Sequence, residues 1–104
     1  EIADINQQSI CDAIVTPRPG EITFPINKEL LSGGAVISDR EALQAIATAF
    51  KHLKIIIEPG GAVALAAVLT GQYPKNAQTV VAVASGGNIE AQIFRRALDE
   101  GPLF

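Results

Sequence analysis

The chain has 104 residues, a net charge of −3 and a high apolar content, and these properties limit its possible functions. This length allows one domain, predicted to span 1–104. The eight Lys and Arg residues are scattered and form no basic stripe, so small molecules are expected as ligands, with no nucleic acid and no membrane as partners. The single Cys11 cannot form an internal disulfide, and no signal peptide or long apolar span is present, so a cytoplasmic location is expected.

The apolar content also predicts that the chain is part of a larger protein. Hydrophobic residues make up 48% of the sequence, although a small domain has much surface to cover with polar groups. The chain begins at Glu1 and contains no methionine. We therefore expect a fragment, in which the polar residues 1–8 form a linker from an upstream region.

The first half of the chain predicts one helix and one short strand. Residues 9–15, SICDAIV, are too few to assign, and the prolines of residues 16–27, TPRPGEITFPIN, predict a shaped loop without a long regular element. Residues 35–38 are predicted to form a short strand, and Asp39 to cap the helix that follows. This helix is amphipathic and is expected to lie on a sheet, through Leu43, Ile46, Ala47 and Phe50.

The second half predicts two further helices and a longer strand. Residues 55–57 fit a helix or a buried strand equally well. A helix is predicted from Pro59 to a stop at Gly71, and its run AVALAAVL predicts burial on every side. Residues 79–84 form an apolar run without alternation, which is typical of a buried parallel strand. The last helix is predicted from Ile89 to Glu100, with Ile89, Phe94, Ala97 and Leu98 facing inward.

Together these elements predict an α/β fold with parallel strands covered by helices on both faces. Ligands of such sheets bind beyond the carboxyl ends of the strands. The sequence Ser85-Gly86-Gly87-Asn88 directly follows the predicted strand 79–84. Ser85 is therefore the first candidate for a ligand-binding residue.

Three segments carry a resemblance to a known family. They are SICDA at residues 9–13, EPGGAVALAAVLTG at residues 58–71 and TVVAVASGGN at residues 79–88. In this order, they resemble the C-terminal part of the threonine/serine dehydratase and serine racemase family. This family consists of fold type II enzymes that depend on pyridoxal phosphate. The resemblance implies that the chain is the C-terminal portion of the large, cofactor-binding domain.

The resemblance assigns roles to individual residues. It implies that the Ser85 hydroxyl binds the pyridine nitrogen of pyridoxal phosphate, with Gly86, Gly87 and Asn88 shaping the turn beside the ring. It implies that Glu58 lines the cofactor pocket and that Asp12 is an active-site carboxylate. The family has a glycine after this aspartate, whereas this chain has Ala13. A role of residue 13 that requires a positive φ is therefore in question.

Other parts of the family's site do not occur in this sequence. The family's cofactor-binding lysine and its glycine-rich phosphate loop lie upstream, as does its divalent-metal site, so no metal ligand is assigned. The chain alone is therefore predicted to be inactive, whereas the resemblance implies that the parent enzyme is an ammonia-lyase that converts a 3-hydroxy amino acid to a 2-oxo acid and ammonia by α,β-elimination. The remainder of the parent polypeptide and a second copy in a homo-oligomer are the expected partners, with an amino acid as the substrate.

Simpler roles stay open for the same residues. Ser85 can cap the following helix, Glu58 can be an acidic residue at a helix N-terminus, and Asp12 can be a turn carboxylate. Two other functions stay open as well. One is a non-catalytic binding or regulatory module of the same fold, and the other is a small nucleotide-binding domain that uses Gly86 and Gly87 to hold a phosphate.

Overall fold

A computed structural model describes residues 8–104 of the chain. Five helical segments occur in this range, and no β-strand does. A short 3₁₀ helix, η1, spans Asp12–Ile14, and the four α-helices are α1 (Thr23–Leu30), α2 (Asp39–Leu53), α3 (Pro59–Leu69) and α4 (Ala91–Glu100). The predicted linker, apart from Gln8, lies outside the described residues.

Helix α2 is the centre of the packed part of the molecule. It packs against α3 and α4, and η1 packs against α3. Leu43, Ile46 and Ala47 of its predicted apolar face are buried, and Ile46 is completely enclosed. Phe50 of the same face is 39% exposed, and the face packs against helices instead of the predicted sheet. Small side chains dominate the contacts, which lets the helix axes approach closely. The core consists of Leu43, Ala45, Ile46, Ala49, Ile57, Ala62, Ala66 and Ala97.

The N-terminus of α2 is fixed by a capping box formed by two residues. Ser38 is the N-cap, so the prediction that Asp39 caps this helix was wrong by one residue. The Ser38 hydroxyl accepts a hydrogen bond from the Glu41 backbone N–H, and the Ser38 backbone N–H donates to the Glu41 carboxylate at 2.7 Å. Asp39 is the first helical residue, and its carboxylate takes no part in this cap.

The C-terminal residues fold back on α2. Leu103 donates its backbone N–H to the buried Thr48 hydroxyl at 3.0 Å. The Phe94 ring of α4 meets the Phe50 ring of α2 edge to face, with centroids 5.3 Å apart. Phe94 is thus turned toward the core as predicted, whereas Leu98 is exposed, and α4 begins at Ala91 instead of Ile89.

The predicted α/β fold is wrong for the described residues. Neither residues 79–84 nor residues 35–38 form a strand, and residues 55–57 form neither a helix nor a strand. A strand requires a neighbour that pairs with its backbone. The one backbone hydrogen bond between residues 55–58 and 79–88 runs from the Glu58 N–H to the Gly86 carbonyl. Val81 and Val83 are 83% and 67% exposed, so the apolar run is not enclosed.

Two helices also differ from the prediction. Residues 23–30, which begin within the predicted loop 16–27, form α1. Pro25 lies in its first turn, where a backbone amide needs no acceptor within the helix. No residue of α1 is buried, and α1 packs against no other described element. Helix α3 has the predicted bounds, and Gly71, which follows it, has a positive φ of 73°. The helix is not buried on every side as predicted, because Val63 and Leu65 are half-buried.

Candidate functional site

The strongest contact between the predicted site residues joins Glu58 to Gly86. The Glu58 backbone N–H donates to the Gly86 carbonyl oxygen at 2.9 Å. The Glu58 carboxylate also lies over Gly86, since a β-carbon added there would be 2.5 Å from Glu58 Oε1. Two motifs that lie almost thirty residues apart in the sequence are therefore in direct contact.

The glycines of both motifs are required by this contact. A β-carbon on Gly61 would lie 2.8 Å from the carbonyl oxygen of Gly86, and one on Gly87 would lie 2.8 Å from that of Ile56. The sequence interpretation attributed Gly86 and Gly87 to the approach of a ligand. In the structure, both glycines also allow the chain itself to pack closely, and this applies equally to Gly61, which sequence reasoning did not single out.

A second group of candidate residues lines a cavity of about 420 Å³ beside this contact. Asp12 and Asn88 lie on its walls, and Pro59, the neighbour of Glu58, forms another part of the lining. The sequence interpretation did not single out the remaining lining residues, which are Ser9, Ile10, Ile89, Glu90 and Ile93. The cavity thus brings together residues from the first, second and third sequence motifs.

Ser85 lies next to the Glu58–Gly86 contact but outside this lining. Its side chain is exposed, and it has no hydrogen-bond partner within residues 8–104. The simpler role of an N-cap is not the one observed, because Glu90 is the N-cap residue of α4 and no side chain caps this helix. The Ser85 hydroxyl is therefore available to a ligand.

Asp12 is an exposed residue of η1, and its carboxylate accepts a hydrogen bond from the Ala13 backbone N–H at 2.8 Å. Ala13 does not have a positive φ, since Lys54 is the one non-glycine residue with this conformation in the described chain. An alanine is thus compatible with the backbone at this position. Its methyl group faces Gly60, where an added β-carbon would be 3.4 Å away.

The lysines lie apart from the two groups of candidate residues. Lys51, Lys54 and Lys75 each donate a hydrogen bond to a backbone carbonyl, namely that of Phe104, Lys51 and Gly71, respectively. Lys28 is exposed on α1. None of these lysines lines the cavity between Asp12 and Asn88.

Comparison with known proteins identifies the family. The family model described as pyridoxal-phosphate dependent enzyme matches residues 2–86. The chain belongs to this family. The resemblance derived from the three sequence motifs is therefore confirmed, and so is the cofactor on which the family depends.

Individual relatives agree with this assignment. The chain is 31% identical over 93 residues to an L-threonine ammonia-lyase of Geobacter sulfurreducens, which covers 89% of the chain and 23% of the relative. It is 33% identical over 93 residues to a serine racemase of Dictyostelium discoideum, and the match covers 88% of the chain and 28% of the relative. It is 34% identical over 85 residues to a catabolic L-threonine dehydratase of Escherichia coli K12, and the match covers 79% of the chain and 26% of the relative.

The chain spans about a quarter of the length of these curated relatives. No solved structure matches it. Within residues 8–104, every helix is too short or too polar to cross a membrane.

The described residues of this family member fit one end of pyridoxal phosphate. The Ser85 hydroxyl has no hydrogen-bond partner among residues 8–104, and a serine hydroxyl can donate to a ring nitrogen. The phosphate end does not fit at Gly86, because the Glu58 carboxylate occupies the space there and would repel a second anion. Lys51, Lys54 and Lys75 are engaged elsewhere, and Lys28 lies on α1 outside the cavity lining, so no lysine of the described residues lines the cavity as an amine for the aldehyde.

Proposed function

We propose that this chain forms one wall of the cofactor site of a pyridoxal-phosphate-dependent ammonia-lyase. The substrate is threonine, serine or a related 3-hydroxy amino acid, and α,β-elimination gives a 2-oxo acid and ammonia. The observation that carries this proposal is the contact between Glu58 and Gly86, which unites two of the family's motifs. The relatives named threonine ammonia-lyase and threonine dehydratase support the reaction class.

Ser85 is the residue that we assign to the ring nitrogen. Pyridoxal phosphate, when bound, takes up the negative charge that develops at the substrate's Cα. A serine hydroxyl donates a hydrogen bond without carrying a charge, so it does not hold the nitrogen protonated as an aspartate would. This moderate stabilisation suits an elimination, because loss of the β-hydroxyl relieves the charge at once.

Glu58 and the glycines shape the turn that presents Ser85. The Glu58 N–H fixes the Gly86 carbonyl at 2.9 Å, and the Glu58 side chain fills the space over Gly86. The turn is thereby held in one conformation directly after Ser85. We expect the loss of this contact to loosen the Ser85 hydroxyl before it affects the helical core.

Asp12 and Asn88 are the residues that we assign to the substrate side. Both line the cavity of about 420 Å³, where a carboxylate and an amide provide acceptors and donors for a polar ligand. Asp12 is the candidate catalytic residue, since its carboxylate is exposed at the cavity. The apolar side chains of Ile10 and Ile93 limit the access of water to the same space.

The chain by itself is expected to be inactive. A pyridoxal-phosphate enzyme needs a lysine that binds the cofactor. Lys51, Lys54 and Lys75 are bound to backbone carbonyls, and Lys28 lies on α1 outside the cavity lining. We therefore expect the lysine and the phosphate-binding groups to come from the remainder of a longer parent polypeptide.

Self-association of the protein is a further part of this proposal. Several large apolar side chains are more than half exposed, among them Val36 at 87% and Ile22 at 82%. Exposed apolar surface of this kind favours association with another chain. Sedimentation of the purified chain is expected to give a dimer or a higher oligomer, and a strictly monomeric, stable chain would contradict this part of the proposal.

The nucleotide-binding alternative is disfavoured by the position of Glu58. A phosphate held by the amides of Gly86 and Gly87 would lie beside the Glu58 carboxylate, and the two anions would repel each other. The non-catalytic alternative has the same fold and the same contact between Glu58 and Gly86 as the proposed enzyme, so the structure does not distinguish the two. It is therefore distinguished by turnover.

The proposed function is tested with the full-length enzyme. Release of 2-oxo acid from threonine, serine and 3-hydroxyaspartate is measured side by side, together with the visible absorbance of the cofactor. We expect turnover with at least one of these substrates and none from the 104-residue chain alone. The Ser85→Ala variant is expected to lose about tenfold to a hundredfold in turnover, the effect of one lost hydrogen bond to the reacting system, while it retains the cofactor absorbance.

Three results would contradict the proposal. Absence of cofactor absorbance from the full-length enzyme would exclude the cofactor assignment. Cofactor absorbance without turnover of any of the three amino acids would favour the non-catalytic module. Saturable ATP binding by the chain, with no effect of pyridoxal phosphate, would favour the nucleotide-binding domain.

A further inference from the structure

The carboxylate of Asp39 ties the N-terminus of α2 to one wall of the cavity. Asp39 Oδ1 accepts a hydrogen bond of 2.6 Å from the Ser9 hydroxyl, and Asp39 Oδ2 accepts one of 3.3 Å from the Ile10 backbone N–H. The Ser9 oxygen in turn accepts the Cys11 backbone N–H at 3.1 Å. Both carboxylate oxygens of one residue are thus engaged by a segment about thirty residues away.

Asp39 is free for this task because another pair of residues caps the helix. Ser38 and Glu41 form the capping box of α2, so the Asp39 carboxylate is not needed there. Its negative charge at the first helical position is also favoured by the helix dipole. The ionised Asp39 carboxylate at the N-terminus of α2 can therefore accept hydrogen bonds from the segment that contains Ser9 and Ile10.

The segment held by Asp39 is the wall of the cavity that carries Asp12. Ser9, Ile10 and Asp12 line this cavity together with Asn88 and Glu90. Among the described residues, the two bonds to Asp39 are the hydrogen bonds that join this wall to α2. Without them, the wall would be held by the packing of Ile10 against the core and of η1 against α3.

We infer that Asp39 is a positioning residue that fixes the position of Asp12 in the cavity that Asn88 and Glu90 also line. Its importance for catalysis rests on the proposed function, but the geometry can be tested without turnover. Asp39 acts through the Ser9–Asp12 segment, because it does not itself line the cavity.

Cys11 is a natural reporter of this segment. It is the single cysteine of the chain, lies between Ile10 and Asp12, and is 5% exposed. Burial raises the pKa of its thiol, the hydrogen bond with Ser9 opposes this effect, and the charges of Asp39 and Asp12 add to the rise. The thiol should therefore react slowly with an alkylating reagent as long as the wall stays in place.

The test measures the rate at which iodoacetamide labels Cys11 in the 104-residue chain. Asp39→Ala removes both hydrogen bonds to this carboxylate, and we expect labelling to become about tenfold faster through local opening. Asp12→Ala is the matched control, since it also removes one carboxylate whose charge raises the pKa of Cys11 but leaves the bonds to Asp39 intact. Ser9→Ala should give an intermediate rate, and Asp39→Asn should partly restore the slow rate because its amide oxygen still accepts the Ser9 hydroxyl.

The unfolding free energy of each variant is measured in urea alongside the labelling rate. Equal labelling of the Asp39→Ala and Asp12→Ala variants would overturn the inference, because charge alone would then explain the change. Faster labelling that follows only the loss of global stability would also overturn it, since Asp39 would then be a structural residue. If Asp39→Ala does not fold, Ser9→Ala takes its place in the comparison with Asp12→Ala. Faster labelling of Ser9→Ala than of Asp12→Ala at equal global stability would support the inference, and equal labelling would overturn it.

A second measurement separates this inference from the proposed function. In the full-length enzyme, Asp39→Ala is expected to lower kcat/KM with unchanged cofactor absorbance, and Asp39→Asn to restore part of the loss. If the labelling results hold but the unmodified enzyme turns over none of the amino acids, the proposed function fails and the positioning role of Asp39 stands. If turnover is present but labelling is unaffected, the positioning role fails and the function stands.

Discussion

The packed helices α2, α3 and α4 differ sharply from the segment 16–37, which contains α1. Both regions are rich in apolar side chains. In the packed region these side chains meet across helices, and Ile46 of α2 has no exposed surface. In the segment 16–37, α1 contacts no other described element, and Leu30 is 77% exposed.

The difference shows that helix formation and burial have separate causes. Local signals are enough to form α1, since Pro25 fits the first helical turn and the residues after it tolerate helix. Burial requires a second surface of complementary shape, and the described chain offers one to α2 but none to α1. The apolar residues of α1 therefore contribute little to the stability of this chain.

The largest expected effect comes from truncating an isoleucine in the packed region. Ile46→Ala should lower the free energy of unfolding by about 2–5 kcal/mol, because it removes buried surface and leaves a cavity. Leu30→Ala in α1 is the matched change at an exposed site and should alter it by about 0.5 kcal/mol or less. Urea unfolding of both variants measures the contrast, and equal losses would show that α1 is packed against other parts of the chain.

An intermediate effect is expected from adding a methyl group at the contact between the motifs. Alanine favours a helix over glycine by about 1 kcal/mol, but a β-carbon at Gly61 would lie 2.8 Å and 3.0 Å from the backbone of Gly86. Because backbone cannot move aside as a flexible side chain does, the clash should prevail, and Gly61→Ala should destabilise the chain by about 1–3 kcal/mol.

Gly33→Ala in the segment 16–37 is the control for this change. No atom lies within 4 Å of its added β-carbon, so no clash is expected there. A stable Gly61→Ala variant, equal to Gly33→Ala in urea unfolding, would mean that Gly61 and Gly86 are not in contact.

The smallest effect concerns the capping box at the N-terminus of α2. Helix α1 has no side-chain cap of this kind. The backbone N–H of Ser38, and then its hydroxyl, lower the pKa of Glu41 below the ordinary value of 4.5. A carboxylate with a lowered pKa stabilises the fold above its ordinary pKa, and this contribution is lost as the pH falls through the lower value. Acidification below about pH 4.5 should therefore weaken α2 slightly.

Glu41→Gln provides the comparison, since glutamine can form the same capping box but does not titrate. The unmodified chain should be more stable than this variant at neutral pH, and the two should converge in acid. A difference in unfolding free energy that stays constant down to about pH 3 would exclude the role of the Glu41 charge.

The sequence was a good guide to the helices whose signals are local. The spacing of Leu43, Ile46 and Ala47 correctly identified the buried face of α2, and Pro59 and Gly71 correctly marked the ends of α3. The strands were predicted wrongly, because β-branched residues such as those at 79–83 show strand propensity, whereas a strand depends on a pairing partner elsewhere in the chain.

The candidate site was predictable only as a set of motifs. Its position after the predicted strand drew attention to Ser85, and similarity to the family drew attention to Glu58, but the contact between Glu58 and Gly86 depends on distant parts of the chain. The part played by Asp39 was missed for a related reason. Its position suggested an N-cap, and only the folded chain reveals that its carboxylate binds Ser9 instead.

The central claim is that the motifs at Glu58 and at Ser85 form one site, and it depends on the hydrogen bond between the Glu58 N–H and the Gly86 carbonyl. This bond can be detected directly by NMR, as a scalar coupling between the Glu58 amide nitrogen and the Gly86 carbonyl carbon. We predict a measurable coupling and slow hydrogen exchange of the Glu58 amide. No coupling, together with exchange of this amide as fast as in an unfolded chain, would contradict the claim that the two motifs meet.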